Sequence, residues 1–185
     1  GGNTATYGGA ILAGGDTTVS TSTFTDNIAS AAYYSSAIHA FGDGNTLALS
    51  GNTIGTDERA QVYTQSGVSI TSPLKVKILN NESVNIHMAP YDITAVVTDD
   101  MGNKVVYLNF KFVVGETEVA INSISTATGV YKTTFTPTQT GEFVVSTNLA
   151  DATLVETGVL KISRSLTDLA NIIAAAEAGD EITLD

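Results

Sequence analysis

Between residues 69 and 163 apolar and polar positions alternate in runs that predict β-strands. Leu74, Val76 and Ile78 are separated by Lys75 and Lys77, and Ile93, Ala95 and Val97 form a second run. Val106, Leu108, Phe110, Phe112 and Val114 read as one long strand. Tyr131, Thr133 and Phe135, then Phe143 and Val145, then Leu160 and Ile162 complete the series. Turn residues fall between the runs: Met101-Gly102-Asn103, Val114-Gly115-Glu116, Thr128-Gly129 and Thr140-Gly141. About seven half-buried strands in ~90 residues predict an immunoglobulin-like β-sandwich. Without cysteine or tryptophan, it cannot be of the antibody type.

Residues 1–68 carry a different pattern, an imperfect repeat. Gly9-Ala10-Ile11-Leu12-Ala13 returns as Ser36-Ala37-Ile38-His39-Ala40 with a period of 27, and Asp16 then falls against Asp43. Val19-Ser20-Thr21-Ser22-Thr23-Phe24 matches Leu49-Ser50-Gly51-Asn52-Thr53-Ile54 at a period of 30. Short apolar segments cut by Gly, Asn and Asp predict coils of a parallel β-helix, each unable to bury its apolar face alone. Gly8-Gly9 and Ser35-Ser36 would mark corners.

The last segment, 164–185, changes period again. Ser165-Leu166-Thr167-Asp168 reads as a capping box, and Leu166, Leu169, Ile172, Ile173 and Ala176 fall on one helical face. Gly179 would end that helix, and Ile182 and Leu184 would begin a strand. The expected organisation is therefore all-β: parallel β-helix coils over 1–68, a sandwich over 69–163, and one short capping helix with the first strand of a further coil over 164–185.

Composition narrows the function. Eight Lys+Arg oppose 19 Asp+Glu in 185 residues, a net charge of −11, and the first basic residue is Arg59. That balance repels phosphate backbones and anionic lipid surfaces, excluding nucleic acid and direct membrane docking. No apolar run reaches the ~18 residues of a membrane span, and Gly1-Gly2-Asn3-Thr4 is unlike a basic leader. Twenty-seven threonines outnumber the basic residues more than threefold, as in β-rich extracellular proteins.

Candidate chemistry is sparse. Asp16 and Asp43 follow glycines and read as turn residues rather than a catalytic carboxylate pair. His39 and His87 alternate with apolar neighbours and are expected to face solvent. Asp99-Asp100-x-Gly102-Asn103 offers hard oxygen ligands for calcium, although a strand-connecting turn accounts for the same residues. No other cofactor is expected. Lys75, Lys77, Lys111, Lys132 and Lys161 occupy the phase opposite the apolar positions and are expected in solvent, where none can form a buried isopeptide bond. Tyr33 and Tyr34, with Tyr7 and Phe41 nearby, are the candidate glycan contacts, and Asn81-Glu82-Ser83 is a candidate glycosylation site.

Taken together, these motifs resemble known surface proteins. Gly8-Gly9-Ala10-Ile11 followed by Phe24-Thr25-Asp26-Asn27 is similar to the repeats of polymorphic outer-membrane-type proteins with right-handed parallel β-helices. Residues 94–103, Gly129-Val130-Tyr131-Lys132-Thr133-Thr134-Phe135-Thr136-Pro137 and Gly141-Glu142-Phe143-Val144-Val145 resemble bacterial Ig-like repeats. The whole resembles a fragment of an adhesin-like surface protein of the methanogen type. That resemblance implies an extracellular, wall-associated stalk whose partner is a cell surface or glycan. It transfers no catalytic residue. A head-to-tail filament or sheath subunit is the alternative, and a polysaccharide-active β-helix enzyme fragment the third reading.

Overall fold

A computed structural model describes residues 2–30, 37–55, 61–80, 83–150, 152–177 and 180–181. The fold is all-β with one short helix. Ten short strands open the chain: β1 (Thr4–Ala5), β2 (Ile11–Ala13), β3 (Thr17–Ser20), β4 (Thr23–Phe24), β5 (Ile28–Ala29), β6 (Ile38–Ala40), β7 (Thr46–Ser50), β8 (Thr53–Ile54), β9 (Val62–Thr64) and β10 (Ser69–Thr71). Every pairing among them is parallel, and each joins one coil to the next. Ile11 lies level with Ile38, and Val19 level with Leu49, which are the two registers the repeat predicts.

The register lengthens between those two pairs because the second coil turns through Gly42-Asp43-Gly44, with positive φ at both glycines. Thr17 pairs with Leu47, so Asp16 stands level with Thr46 and accepts its backbone N–H at 2.8 Å. The expected match of Asp16 with Asp43 is thereby corrected. Asp16 is a corner residue that ties one coil to the next.

A third coil follows that the repeat did not reveal. Val62 stacks on Ile38 and Ile70 on Leu47, and β10 reaches past residue 68. Inward positions Val19, Ile38, Leu47, Leu49, Val62 and Ile70 are buried and stack along the axis. Parallel strands buried on their inner face need this continuous apolar column, since no single coil can enclose its own side chains.

The remaining strands are β11 (Leu74–Ile78), β12 (Ser83–His87), β13 (Tyr91–Thr98), β14 (Val105–Val106), β15 (Lys111–Val114), β16 (Thr117–Ala120), β17 (Ser123–Ser125), β18 (Val130–Phe135), β19 (Gly141–Thr147), β20 (Ala152–Glu156) and β21 (Gly158–Ser163). All but β14 form two five-stranded sheets, ordered β17-β18-β13-β11-β20 and β12-β21-β19-β15-β16. Leu74, Val76, Ile78, Ile93, Ala95 and Val97 of one sheet and Phe112, Val114, Val145, Leu160 and Ile162 of the other are all buried. The lysines point the other way, as their phase requires. Lys77, Lys111, Lys132 and Lys161 each pair with a carboxylate on a neighbouring strand, at 2.6–3.6 Å and in solvent.

One expected strand is two. Val106 to Val114 does not run continuously, because Tyr107 adopts a φ of 69° and turns the chain. Before that turn, β14 leaves the sandwich and pairs in parallel with β9, closing the sheet β14-β9-β6-β2. After it, β15 joins the second sheet. The break is held by Tyr131, whose buried hydroxyl accepts the Leu108 N–H at 3.1 Å and donates to the Val105 carbonyl at 3.0 Å. Burial raises this hydroxyl well above the ordinary tyrosine range.

The helix α1 (Leu166–Ala175) begins with the capping box foreseen: Ser165 Oγ accepts the Asp168 N–H, and the Asp168 carboxylate accepts the Ser165 N–H at 2.8 Å. None of its residues is buried, and Leu166 and Ile173 are largely exposed. Gly179, Ile182 and Leu184 lie outside the described residues. Among the described residues no helix is long and apolar enough to cross a membrane.

Candidate functional site

The outer face of the sheet β14-β9-β6-β2 carries a cluster of large side chains that the fold does not use for its core. Inward residues Ile11, Ile38, Val62 and Val105 stand in one column. The next residue along each of the first three strands points outward, so Leu12, His39 and Tyr63 stand in a second column. The rings of His39, Tyr63 and Tyr107 stack at the spacing of the strands. His39 and Tyr63 centroids are 4.5 Å apart and Tyr63 and Tyr107 centroids 4.6 Å apart, close to the ~4.8 Å between paired strands. The left-handed turn at Tyr107 sets its ring at the end of this ladder.

Two further rings stand edge-on to His39. Tyr7 lies 5.8 Å away at 87°, and Phe41 lies 6.2 Å away at 82°. Gly8 makes the first approach feasible: it has a φ of +49°, and a Cβ there would fall 3.1 Å from the His39 Cβ. Phe41 covers Gly14, where a side chain would collide with the ring. Together these residues line an open groove of about 350 Å³, bounded by Tyr7, Leu12, His39, Phe41, Tyr63 and Gln65.

His39 corrects its sequence reading. Its side chain does point outward, in phase with Leu12 and Tyr63, but the surrounding rings leave it only 5% exposed. Burial lowers its pKa below the ordinary value, which favours the neutral imidazole. His87 does face solvent, with Nδ1 3.4 Å from Ser163 Oγ.

The other candidates resolve differently. Tyr33, Tyr34, Asn81 and Arg59 lie outside the described residues. Asp99 is fully buried, and its carboxylate is occupied by the loop itself. One oxygen accepts the N–H groups of Met101 and Asn103 at 3.0 and 2.9 Å, and the other accepts the Asn103 side-chain amide at 2.8 Å. Burial nonetheless pushes its pKa up. Asp100 accepts the Gly51 N–H at 3.0 Å, so these residues act as a turn that clasps the coil stack. Among the described residues no group of three His, Cys, Asp or Glu side chains is placed to hold a metal ion.

Tyr63, Gln65 and Tyr107 were not singled out from the sequence. A signal for Tyr63 exists: Ile11-Leu12-Ala13, Ile38-His39-Ala40 and Val62-Tyr63-Thr64 share an apolar–large–small pattern, the third copy following at a shortened spacing of 24.

No protein-family model matches the chain, and no curated protein matches it. Two solved structures are similar over about half of it. Domains 4 and 5 of the S-layer protein SbsC match at a TM-score of 0.38 and 14% identity, covering 51% of this chain and 55% of that one. FdeC, an Escherichia coli adhesin, matches at a TM-score of 0.35 and 19% identity, covering 55% of this chain and 35% of that one. At these scores the likeness says nothing of what this chain binds.

Proposed function

We propose that this chain is a non-catalytic segment of an extracellular surface protein, in which a coil stack and a sandwich are joined to give reach and spacing for attachment to a cell or surface. The observation that carries this reading is the joint itself. Loop 99–106 of the sandwich serves as a partial fourth coil. Asn103 seats above Asn52, Gln61 and Lys104 exchange backbone and side-chain hydrogen bonds at 2.6–3.1 Å, and Thr64 Oγ1 donates to the Val106 carbonyl at 3.0 Å. A flexible linker would leave two independent bodies, whereas here the segment between β13 and β15 of the sandwich carries β14, which pairs onto β9 of the coils. A Thr-rich exterior with few charges suits such a solvent-facing spacer.

Antibody raised against the folded chain is expected to label intact source cells and to lower their attachment to a surface. Labelling that appears only after permeabilisation overturns the reading.

Head-to-tail assembly is a second reading, favoured by one observation. Strands β2, β3 and β4 stand at sheet edges with no partner on their outer side among the described residues, and β-edges of this kind template pairing with another chain. Light scattering that shows mass growing with concentration would support it, and a constant monomer mass would exclude it.

A further inference from the structure

We propose that the aromatic groove on the outer face of β2, β6 and β9 is a binding site for a neutral pyranose unit of a glycan chain. The inference is independent of the spacer role, which requires no ligand at this face.

Three features of the groove select that chemistry. First, its apolar surface is exposed where a core would hide it. Tyr7 is 43% and Leu12 55% exposed beside Phe41, while the face of His39 is covered by Tyr63. Exposed rings held rigid by neighbours present a flat apolar platform at little entropic cost, which suits the C–H-rich face of a sugar ring. Second, polar residues are among its lining: Gln65, Tyr7 and Tyr63 carry an amide and hydroxyls of the kind that orient a hydroxylated ligand. Third, none of its described lining residues is Asp, Glu, Lys or Arg. Around it the chain carries a net charge of −11. Uronate or sulfated glycans would be repelled, and nothing in the described lining would pair their charge. At about 350 Å³ the groove is small for a ligand site, in keeping with one or two sugar rings rather than a folded partner.

The ladder also sets a direction. His39, Tyr63 and Tyr107 run along the stacking axis, so a glycan laid on the groove would follow the coils toward the sandwich. This predicts tighter binding of oligosaccharides than of monosaccharides.

The test is titration calorimetry of the whole chain with cellopentaose, mannopentaose and, as charged control, pentagalacturonic acid. At least one neutral pentasaccharide is expected to bind saturably, and the uronate more weakly. Tyr7→Ala and Phe41→Leu are each expected to lower the affinity about threefold to tenfold, the range for one lost aromatic contact. Both variants are checked for the wild-type circular dichroism spectrum. Should either fail to fold, perturbation of the Leu12 methyl resonances by the bound sugar gives the same answer in the unaltered chain. Absence of binding by both neutral sugars, equal binding of the uronate, affinity unchanged by both substitutions, or Leu12 methyls unmoved at saturation would each overturn the proposal.

Discussion

The side-chain amide of Asn103 donates to the backbone carbonyl of Asn52 across 2.7 Å, and this contact joins a sandwich loop to the top of the coil stack. Asn52 is itself buried and spans the step below, accepting the Ser22 N–H at 3.1 Å and donating to the Val19 carbonyl at 2.7 Å. Asn103 then accepts the Ile54 N–H at 3.3 Å and donates to Asp99. The corner column of the coils is thus continued by a residue 51 positions later in the chain. Such a column answers a general difficulty, because a corner buried between coils holds backbone groups that no strand ladder satisfies.

Asn103→Ala should therefore cost more than an ordinary surface truncation. It leaves the Asn52 carbonyl, the Ile54 N–H and one Asp99 oxygen without their partner in a buried place. At about 1–3 kcal/mol for each unsatisfied buried group, with partial relief by water, a loss of about 2–4 kcal/mol is expected. Urea denaturation checks it, and a midpoint unchanged from wild type would mean that the joint does not bear on stability.

Tyr131→Phe isolates the other pin. The ring remains packed against Phe110, at 4.8 Å between centroids, while the hydroxyl that holds Leu108 and Val105 is removed. A destabilisation of about 1–3 kcal/mol is expected. Amide exchange at Leu108 should also rise, because its N–H loses the one acceptor seen here; exchange as slow as in wild type would contradict the assignment.

These two pins mark where the sequence could be read and where it could not. Registers within the coils were legible because Ile11/Ile38 and Val19/Leu49 repeat the same apolar positions, and a one-residue slip would turn each column outward. Strands β11, β13 and β21 were legible from strict alternation. The break at Tyr107 was not, since a left-handed tyrosine leaves no mark in a hydropathy pattern that alternates across it. Nor was the joint: Asn103 reads as a turn residue in any local window, and its partner Asn52 is distant in sequence. Leu12, His39 and Tyr63 carried a period-2 phase that correctly points them outward. That they touch depends on coil-to-coil spacing, which side-chain phase alone does not give.

Gly8→Ala tests the corner that brings Tyr7 over His39. The new methyl would meet the Ile11 carbonyl and the His39 Cβ while the backbone stays at a φ of +49°. Left-handed strain alone costs about 1–2 kcal/mol, and the collision adds to it. Gly15→Ala is the control, since nothing lies within 4 Å of its Cβ and its φ is not positive. That variant should be neutral or gain up to about 1 kcal/mol from a stiffer unfolded chain. Equal thermal midpoints for the two variants would refute the special role of Gly8.

Acid should loosen the aromatic ladder through His39. Burial holds its folded-state pKa below the ordinary value of 6.5, so the fold favours the neutral ring. The unfolded chain therefore binds the proton more readily than the folded one. The associated stability is fully present above pH ~6.5 and is lost as pH falls below it toward the folded pKa, at no more than about 1.4 kcal/mol per pH unit. Asp92, Glu118 and Asp168 are held below their ordinary values by hydrogen bonds, to Lys132, Lys111 and Ser165 first. Their contributions are lost only at more acid pH, and Asp99, raised by burial, acts in the opposite sense as pH falls, so a decline between pH 7.5 and 5.5 is assigned to His39. His39→Phe keeps a ring between Tyr63 and Tyr7 and removes the titration. Urea midpoints of the wild type should fall between pH 7.5 and 5.5, while those of His39→Phe should fall less. Parallel declines in the two proteins would place the pH sensitivity elsewhere, and an unchanged wild-type midpoint would show that the groove tolerates a charged imidazole.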